Sequence, residues 1–190
     1  MNGFGLRTPR LLLRAWHDAD RAAFAELNAD EAVMEFFPST LDREESDALV
    51  DRFEDEFARL GFCPWAVELE ATSQFIGFVG LHAVTPEMPF APAIEVGWRL
   101  ARRAWGAGYA TEAARTATAF GFDELGLDEI VSFTSVPNIR SRRVMERLGM
   151  RNDEQGEFDH PRLPDSERLR RHVLYRLNVA DRAGDAGTNR

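Results

Sequence analysis

The stretch WGAGYATEA, residues 105–113, sets Gly106 and Gly108 one residue apart, directly before alanines and a glutamate that favour a helix. Glycine permits positive φ and lets a ligand reach the main chain, while the first amides of a helix are unbonded donors at the positive end of its dipole. A phosphate or diphosphate suits such a seat. The dipole contributes only about 0.3–1 kcal/mol, so several N–H bonds would have to supply most of the binding. The other reading is a strand-to-helix turn whose glycines serve geometry alone, and the residues leave both open.

Three familiar phosphate loops are excluded. A dinucleotide fingerprint would need glycine where Thr111 stands, and Asp128 precedes its strand instead of following it. All 23 basic residues are arginine, which removes the lysine of a Walker or kinase loop and any lysine Schiff base. His17, His82, His160, His172 and Cys63 show no metal-ligand spacing, so no metal is expected.

A second stretch, NIRSRRVMERLGM, begins at Asn138 after an apolar run. Asn138 can cap the helix that follows or bond a ligand amide. Paired with the glycine loop it would line a crevice at strand ends, the usual ligand position in open α/β sheets.

The elements that must hold these residues follow from periodicity. PRLLLRAW reads as a first strand, and Asp18 as the N-cap of a helix through DADRAAFAELNAD. Asp42 and Glu45 form a capping-box pair before Leu49, Phe53, Phe57 and Leu60, which recur at helical spacing up to Gly61. Trp65, Val67 and Leu69 alternate with smaller or charged residues, then ATSQ and FIGFVGL complete a hairpin. Ile94, Val96, Trp98 and Leu100 alternate with Glu95, Gly97 and Arg99, a strand that delivers the chain into the glycine loop. A helix from about 108 to 125, a strand IVSFTSV, a helix from about 138 to 148 and strands near 150–158 and 172–179 complete the order. The expectation is one α/β (α+β) domain over 1–180, a mixed sheet with helices on both faces, with 181–190 as a tail.

Composition narrows the function. A formal charge of -9 argues against a surface for nucleic acid, no apolar run approaches the length of a membrane span, and a single cysteine excludes an intrachain disulfide. A cytoplasmic enzyme or binding domain is expected.

The order EVGWRLARRAWGAGYATEAA, NIRSRRVMERLGM, FDHP and HVLYRL resembles the GNAT superfamily of N-acetyltransferases, nearest the branch that looks like RimJ and RimL, the ribosomal-protein N-terminal acetyltransferases. The similarity runs over nearly the whole chain and implies a mixed, mostly antiparallel central sheet flanked by helices. It implies acetyl-CoA as cosubstrate, with the main chain of Gly106, Ala107, Gly108, Tyr109, Ala110 and Thr111 holding the diphosphate. The strand carrying Trp98 and Leu100 would meet the pantetheine amides, as would Asn138. Arg102, Arg103, Arg142 and Arg143 would attract nucleotide phosphates or remain solvated. Many relatives place a tyrosine seven residues after the asparagine as acid for the leaving thiolate. Met145 stands there, and Ser141 is the nearest hydroxyl on that helix.

Acetyl transfer needs a neutral amine, an oxyanion donor and a proton for sulfur. Glu95 is the candidate base, directly or through water, and His82 is its rival. Glu112, in a first helical turn, and Cys63, beside Pro64, are read as structural. Phe36, Phe37, Asp159 and His160, in irregular loops, are candidates for the acceptor wall. The acceptor would be a ribosomal or other protein N-terminus or a small amine, and a homodimer is compatible with the resemblance. The alternative function is a non-catalytic acyl-CoA-binding or sensing protein of the same fold.

Overall fold

Strand β2 (Leu11–Arg14) lies within the expected PRLLLRAW strand, and a strand the sequence did not suggest, β1 (Gly5–Arg7), pairs antiparallel with it. The turn between them is held from afar: Thr8 Oγ1 and the Arg10 backbone N–H both donate to Glu112 Oε1, at 2.5 and 3.1 Å, so it is fastened to a helix a hundred residues on. The computed structural model describes residues 5–164 and 168–182.

Helix α1 (Asp20–Ala29) starts later than Asp18 would dictate. Its N-cap is Ala19, with no side-chain cap. The nearest useful carboxylate, Asp20, is instead taken by Arg14, Nη1 at 2.7 Å and Nη2 at 2.9 Å, and by the His17 backbone N–H. Helix α2 (Arg43–Leu60) has the expected capping box, in which the Glu45 N–H donates to Asp42 and the Asp42 N–H to Glu45, and ends on left-handed Gly61.

The remaining elements follow the alternating patterns closely. They are β3 (Pro64–Leu69), β4 (Gln74–Ala83), β5 (Ile94–Leu100), α3 (Tyr109–Asp123), β6 (Glu129–Ser135), α4 (Ile139–Arg147), β7 (Arg151–Asp159), β8 (Arg171–Asn178) and the short α5 (Val179–Arg182). The expected tail therefore begins inside α5, and its residues 183–190 lie outside the described residues.

The eight strands form one sheet in the order β1-β2-β3-β4-β5-β6-β8-β7, antiparallel throughout except for β5 beside β6. This is the mixed, mostly antiparallel sheet that the sequence implies. Both faces of its centre are covered. Phe24 of α1 and Phe53 of α2 meet Phe78 at ring separations of 6.0 and 5.2 Å, while Phe120 of α3 stands edge-on to Trp65 at 5.5 Å. Met88, Val131, Phe158 and Leu174 build a second, smaller core beneath β6 to β8. Two cores on either side of β5 and β6 hold rigid the seam between those strands.

Candidate active site

The seam does not close. β5 and β6 pair in register only at Glu95 with Val131, and past that point a cleft of about 1480 Å³ lies between residues 97–100 of β5 and 132–134 of β6.

One side of the cleft is the glycine loop. After a 3-10 turn over Arg102–Ala104, Gly106 and Gly108 adopt φ of 76° and 82°, and Gly108 is the N-cap of α3. A Cβ at Gly106 would meet nothing within 4 Å, so its requirement for glycine is conformational, not steric. No side chain caps this helix, and its first main-chain bond runs from the Glu112 N–H to the Gly108 carbonyl. The amides of Tyr109, Ala110 and Thr111 are thus left facing the opening. Arg10 braces the loop from outside. Its Nη1 donates to the Ala107 carbonyl at 3.0 Å, its guanidinium lies 4.6 Å from the Tyr109 ring centre, and its Nε donates to Glu112 at 2.7 Å. Glu112 accepts from Thr8 and Arg10, which outweighs burial and lowers its pKa.

Of the candidate residues for this side, Trp98, Leu100, 106–111, Asn138, Ser141 and Arg143 line the cleft. Arg102 and Arg103 are exposed and not among the lining residues; Arg103 Nη2 donates to the Phe75 carbonyl. Arg142 turns toward Tyr175 and the Val136 carbonyl. Asn138 is nearly buried and acts as a cap: its Oδ1 accepts from the Ser141 N–H at 3.2 Å, and its Nδ2 donates to Thr134 Oγ1 and Ser141 Oγ at 2.9 and 3.1 Å. A serine hydroxyl that accepts one bond still has a proton to donate. Met145 is 1% exposed, locked in the core at the cleft wall. Two cations that sequence reading overlooked, Arg115 and Arg147, join Arg143 along this wall, and Arg115 Nη2 donates to the Arg147 carbonyl at 3.0 Å. The spacing on α4, four residues from Arg143 to Arg147, could have revealed the pair.

The opposite side is aromatic and titratable. His82 and Glu95 are cross-strand partners on β4 and β5, with Nε2 of the histidine 3.1 Å from Oε2 of the glutamate. Glu95 is only 8% exposed. Burial pulls the His82 pKa down, but the charge of Glu95, its hydrogen bond and the more distant Glu56 together hold it above the ordinary value. His160 behaves oppositely: burial, then the neighbouring His172 and Arg162, push it down to about 4. His172 is lowered by burial although its Nδ1 lies 3.0 Å from the Arg170 carbonyl. One protonatable histidine therefore sits against Glu95, and two neutral ones stand across the floor. Phe36, Phe37 and His160 line the cleft, whereas Asp159 pairs with Arg170 and Arg171 and is not among the lining residues. Burial raises the Cys63 thiol to about 12, which leaves it unreactive.

A sheet parted between two parallel strands, with a glycine-opened helix start on one bank, accounts for most of the chain. Residues 10–151 match the acetyltransferase (GNAT) domain family. The chain belongs to the GNAT acetyltransferase family. It is 32% identical over 146 residues to the uncharacterized protein YkkB of Bacillus subtilis (strain 168), covering 76% of this chain and 84% of that one. It is 30% identical over 149 residues to the uncharacterized N-acetyltransferase YnaD of the same organism, covering 78% and 83%. A crystal structure of a GNAT acetyltransferase from Bacillus anthracis superposes with a TM-score of 0.76 at 25% identity, over 92% of this chain and 98% of that one. This GNAT protein is an N-acetyltransferase whose cosubstrate is acetyl-CoA. Among the described residues no helix is long and apolar enough to cross a membrane, and no cluster of side chains could hold a metal ion.

Proposed function

We propose that this acetyltransferase moves the acetyl group of acetyl-CoA directly onto a primary amine held beside Glu95 and His82, with no acyl-enzyme intermediate. The observation that carries this reading is the 3.1 Å contact of those two side chains at the point where β5 and β6 separate. The only thiol, Cys63, is buried and held protonated, so the chain offers no thiolate to carry an acyl group.

In this reading the open amides at 109–111 hold the coenzyme diphosphate, and Arg115, Arg143 and Arg147 attract its remaining phosphate. Bound acetyl-CoA supplies an activated thioester carbonyl. Among the described residues the inner edge of β5 past Glu95 has no strand partner, which leaves its main-chain N–H groups to bond the pantetheine and the carbonyl oxygen. Glu95 takes the proton that the attacking amine loses, and His82, bonded to it, fixes the carboxylate's orientation and shares the proton. Ser141, whose hydroxyl accepts from Asn138, donates to the departing sulfur. The products are an N-acetyl amine and free coenzyme A.

The acceptor side supports a small or slender amine: Phe36, Phe37 and the neutral His160 give it apolar walls. The test is acetyl-CoA with a panel of peptide N-termini and small amines, products read by mass spectrometry. Acetylated product with stoichiometric coenzyme A release supports transfer. Tight acetyl-CoA binding without product from any amine would instead support a sensing role.

A further inference from the structure

The arginines of the cleft fall into three kinds, of which Arg115, Arg143 and Arg147 form the group on the coenzyme wall. Arg7, Arg10, Arg140 and Arg162 each have a glutamate, respectively Glu70, Glu112, Glu35 and Glu87. Those are pairs at the rim. Arg99 is different: it lies on β5 inside the cleft, and among the described residues no carboxylate meets it.

What surrounds Arg99 holds its position without neutralising it. Its Nη1 donates to Asn28 Oδ1 at 2.6 Å, and Asn28, fully buried, donates in turn to Ser46 Oγ at 2.9 Å. Its Nε is buried with no hydrogen-bond partner. The guanidinium carbon lies 4.2 Å from the Phe37 ring centre and 5.6 Å from that of Phe78. Aromatic rings against a guanidinium leave its edge as the place where a ligand can bond. Burial lowers the Arg99 pKa to about 10, so the group is still charged at neutral pH. A charge partly withdrawn from water, with no counter-charge among the described residues, is costly, and an anionic ligand is what would offset it.

Arg99 shares its face of β5 with Glu95 and Gly97, because side chains alternate along a strand. Four residues at about 3.3 Å each put the Glu95 and Arg99 Cα atoms about 13 Å apart. The floor between them is bare: a Cβ on Gly97 would lie no closer than 3.7 Å to His82 Nε2 and 3.8 Å to Glu95 Oε1.

We propose that Arg99 receives a carboxylate of the amine acceptor, so that the acceptor carries its amine and a carboxylate several bonds apart, the amine at Glu95 and the carboxylate at Arg99. This rests on the acetyl-transfer reading for the amine end alone. The edge of a guanidinium fits a planar carboxylate through two parallel N–H bonds, which a neutral amide or a polyamine cannot reproduce. The same chemistry is offered by a free ω-amino acid and by a peptide N-terminus followed by an acidic residue.

The test compares kcat/KM for δ-aminovalerate with δ-aminovaleramide, and for a tripeptide with glutamate at its second position with its glutamine counterpart. The expected result is a preference of about tenfold or more for the carboxylate in one pair, which also tells the two sources apart. In Arg99→Gln that preference should collapse toward unity, and in Arg99→Lys it should be partly retained. Comparing ratios between proteins cancels differences in amine basicity. Equal rates within both pairs in the wild type, or an undiminished preference in a folded Arg99→Gln, would overturn the proposal. If no amine is acetylated, the transfer reading fails by itself. Calorimetric titration of δ-aminovalerate into the coenzyme A-loaded wild type and Arg99→Gln then decides, with weaker binding to the variant expected and equal or absent binding overturning the proposal.

Discussion

His82 on β4 and Glu95 on β5 face each other across one rung of the sheet, with the imidazole Nε2 3.1 Å from the carboxylate Oε2. How much this pair matters depends on the amine it serves. A peptide α-amine, with a pKa of about 7.7–8.0, is already about a tenth neutral at pH 7, whereas a lysine-like amine near about 10.4 is neutral only in trace. Glu95→Gln should therefore slow acetylation of an α-amine by about tenfold or less, but that of a lysine-like amine by about 10²-fold or more. Steady-state kcat/KM on one acceptor of each kind checks this; equal losses would remove Glu95 as base.

The histidines of the cleft should leave opposite marks on stability. His82 has a raised pKa in the fold, so its contribution is present at acid pH, below about 6.5, and is lost as pH rises through the folded value. His160, lowered to about 4, favours folding in its neutral form, so its contribution is present above about 6.5 and is lost as pH falls toward that value. Urea unfolding across this range should show His82→Gln losing the acid-side stabilisation and His160→Gln relieving the acid-side loss.

Gly106→Ala places a Cβ in open space at a φ of 76°, so strain is its main effect. Left-handed backbone costs a non-glycine residue about 1–2 kcal/mol. If the loop relaxes to avoid that strain, the amides leave their positions, and acetyl-CoA affinity should fall by about tenfold with the acceptor KM little changed. Calorimetric titration of coenzyme A checks it.

Met145 and Ser141 separate packing from proton transfer on a single helix. Met145→Ala empties a fully enclosed site and should destabilise the fold by about 2–5 kcal/mol in chemical denaturation. Ser141→Ala should lower kcat by about 10²-fold with coenzyme A affinity retained, as expected for loss of an acid. An unchanged kcat would leave sulfur to be protonated by water.

Local signals were readable in the chain, and distant ones were not. The Asp42 and Glu45 caps lie three residues apart, so their bond is written in the sequence, and the same holds for the Gly106 and Gly108 turn and the Ile94–Leu100 alternation. Asp18 is no cap because the helix starts at Asp20, which a pair with Arg14 that only the fold creates holds in place, while Asp18 lies exposed beside Arg21. Strand β1 was not legible, because the turn that folds it back onto β2 is held by Glu112 of α3, which bonds Thr8 and Arg10. At the site, both His82 and Glu95 stood out by residue type, yet nothing in the alternation of either strand says that they sit opposite one another. Register supplies that. Arg99 reads as an ordinary outward residue of β5 until α1 and the following loop bring Asn28 and Phe37 against it.

A sheet that divides between β5 and β6 acquires two inner margins besides its outer ones. Unpaired strand margins ordinarily invite other polypeptides to add on, the route to aggregation. Here they lie recessed in a crevice, so a folded neighbour's sheet is too broad to reach them, while a single thin chain of atoms is not. The split that would be a hazard at the surface becomes, at this depth, a sieve for molecular width.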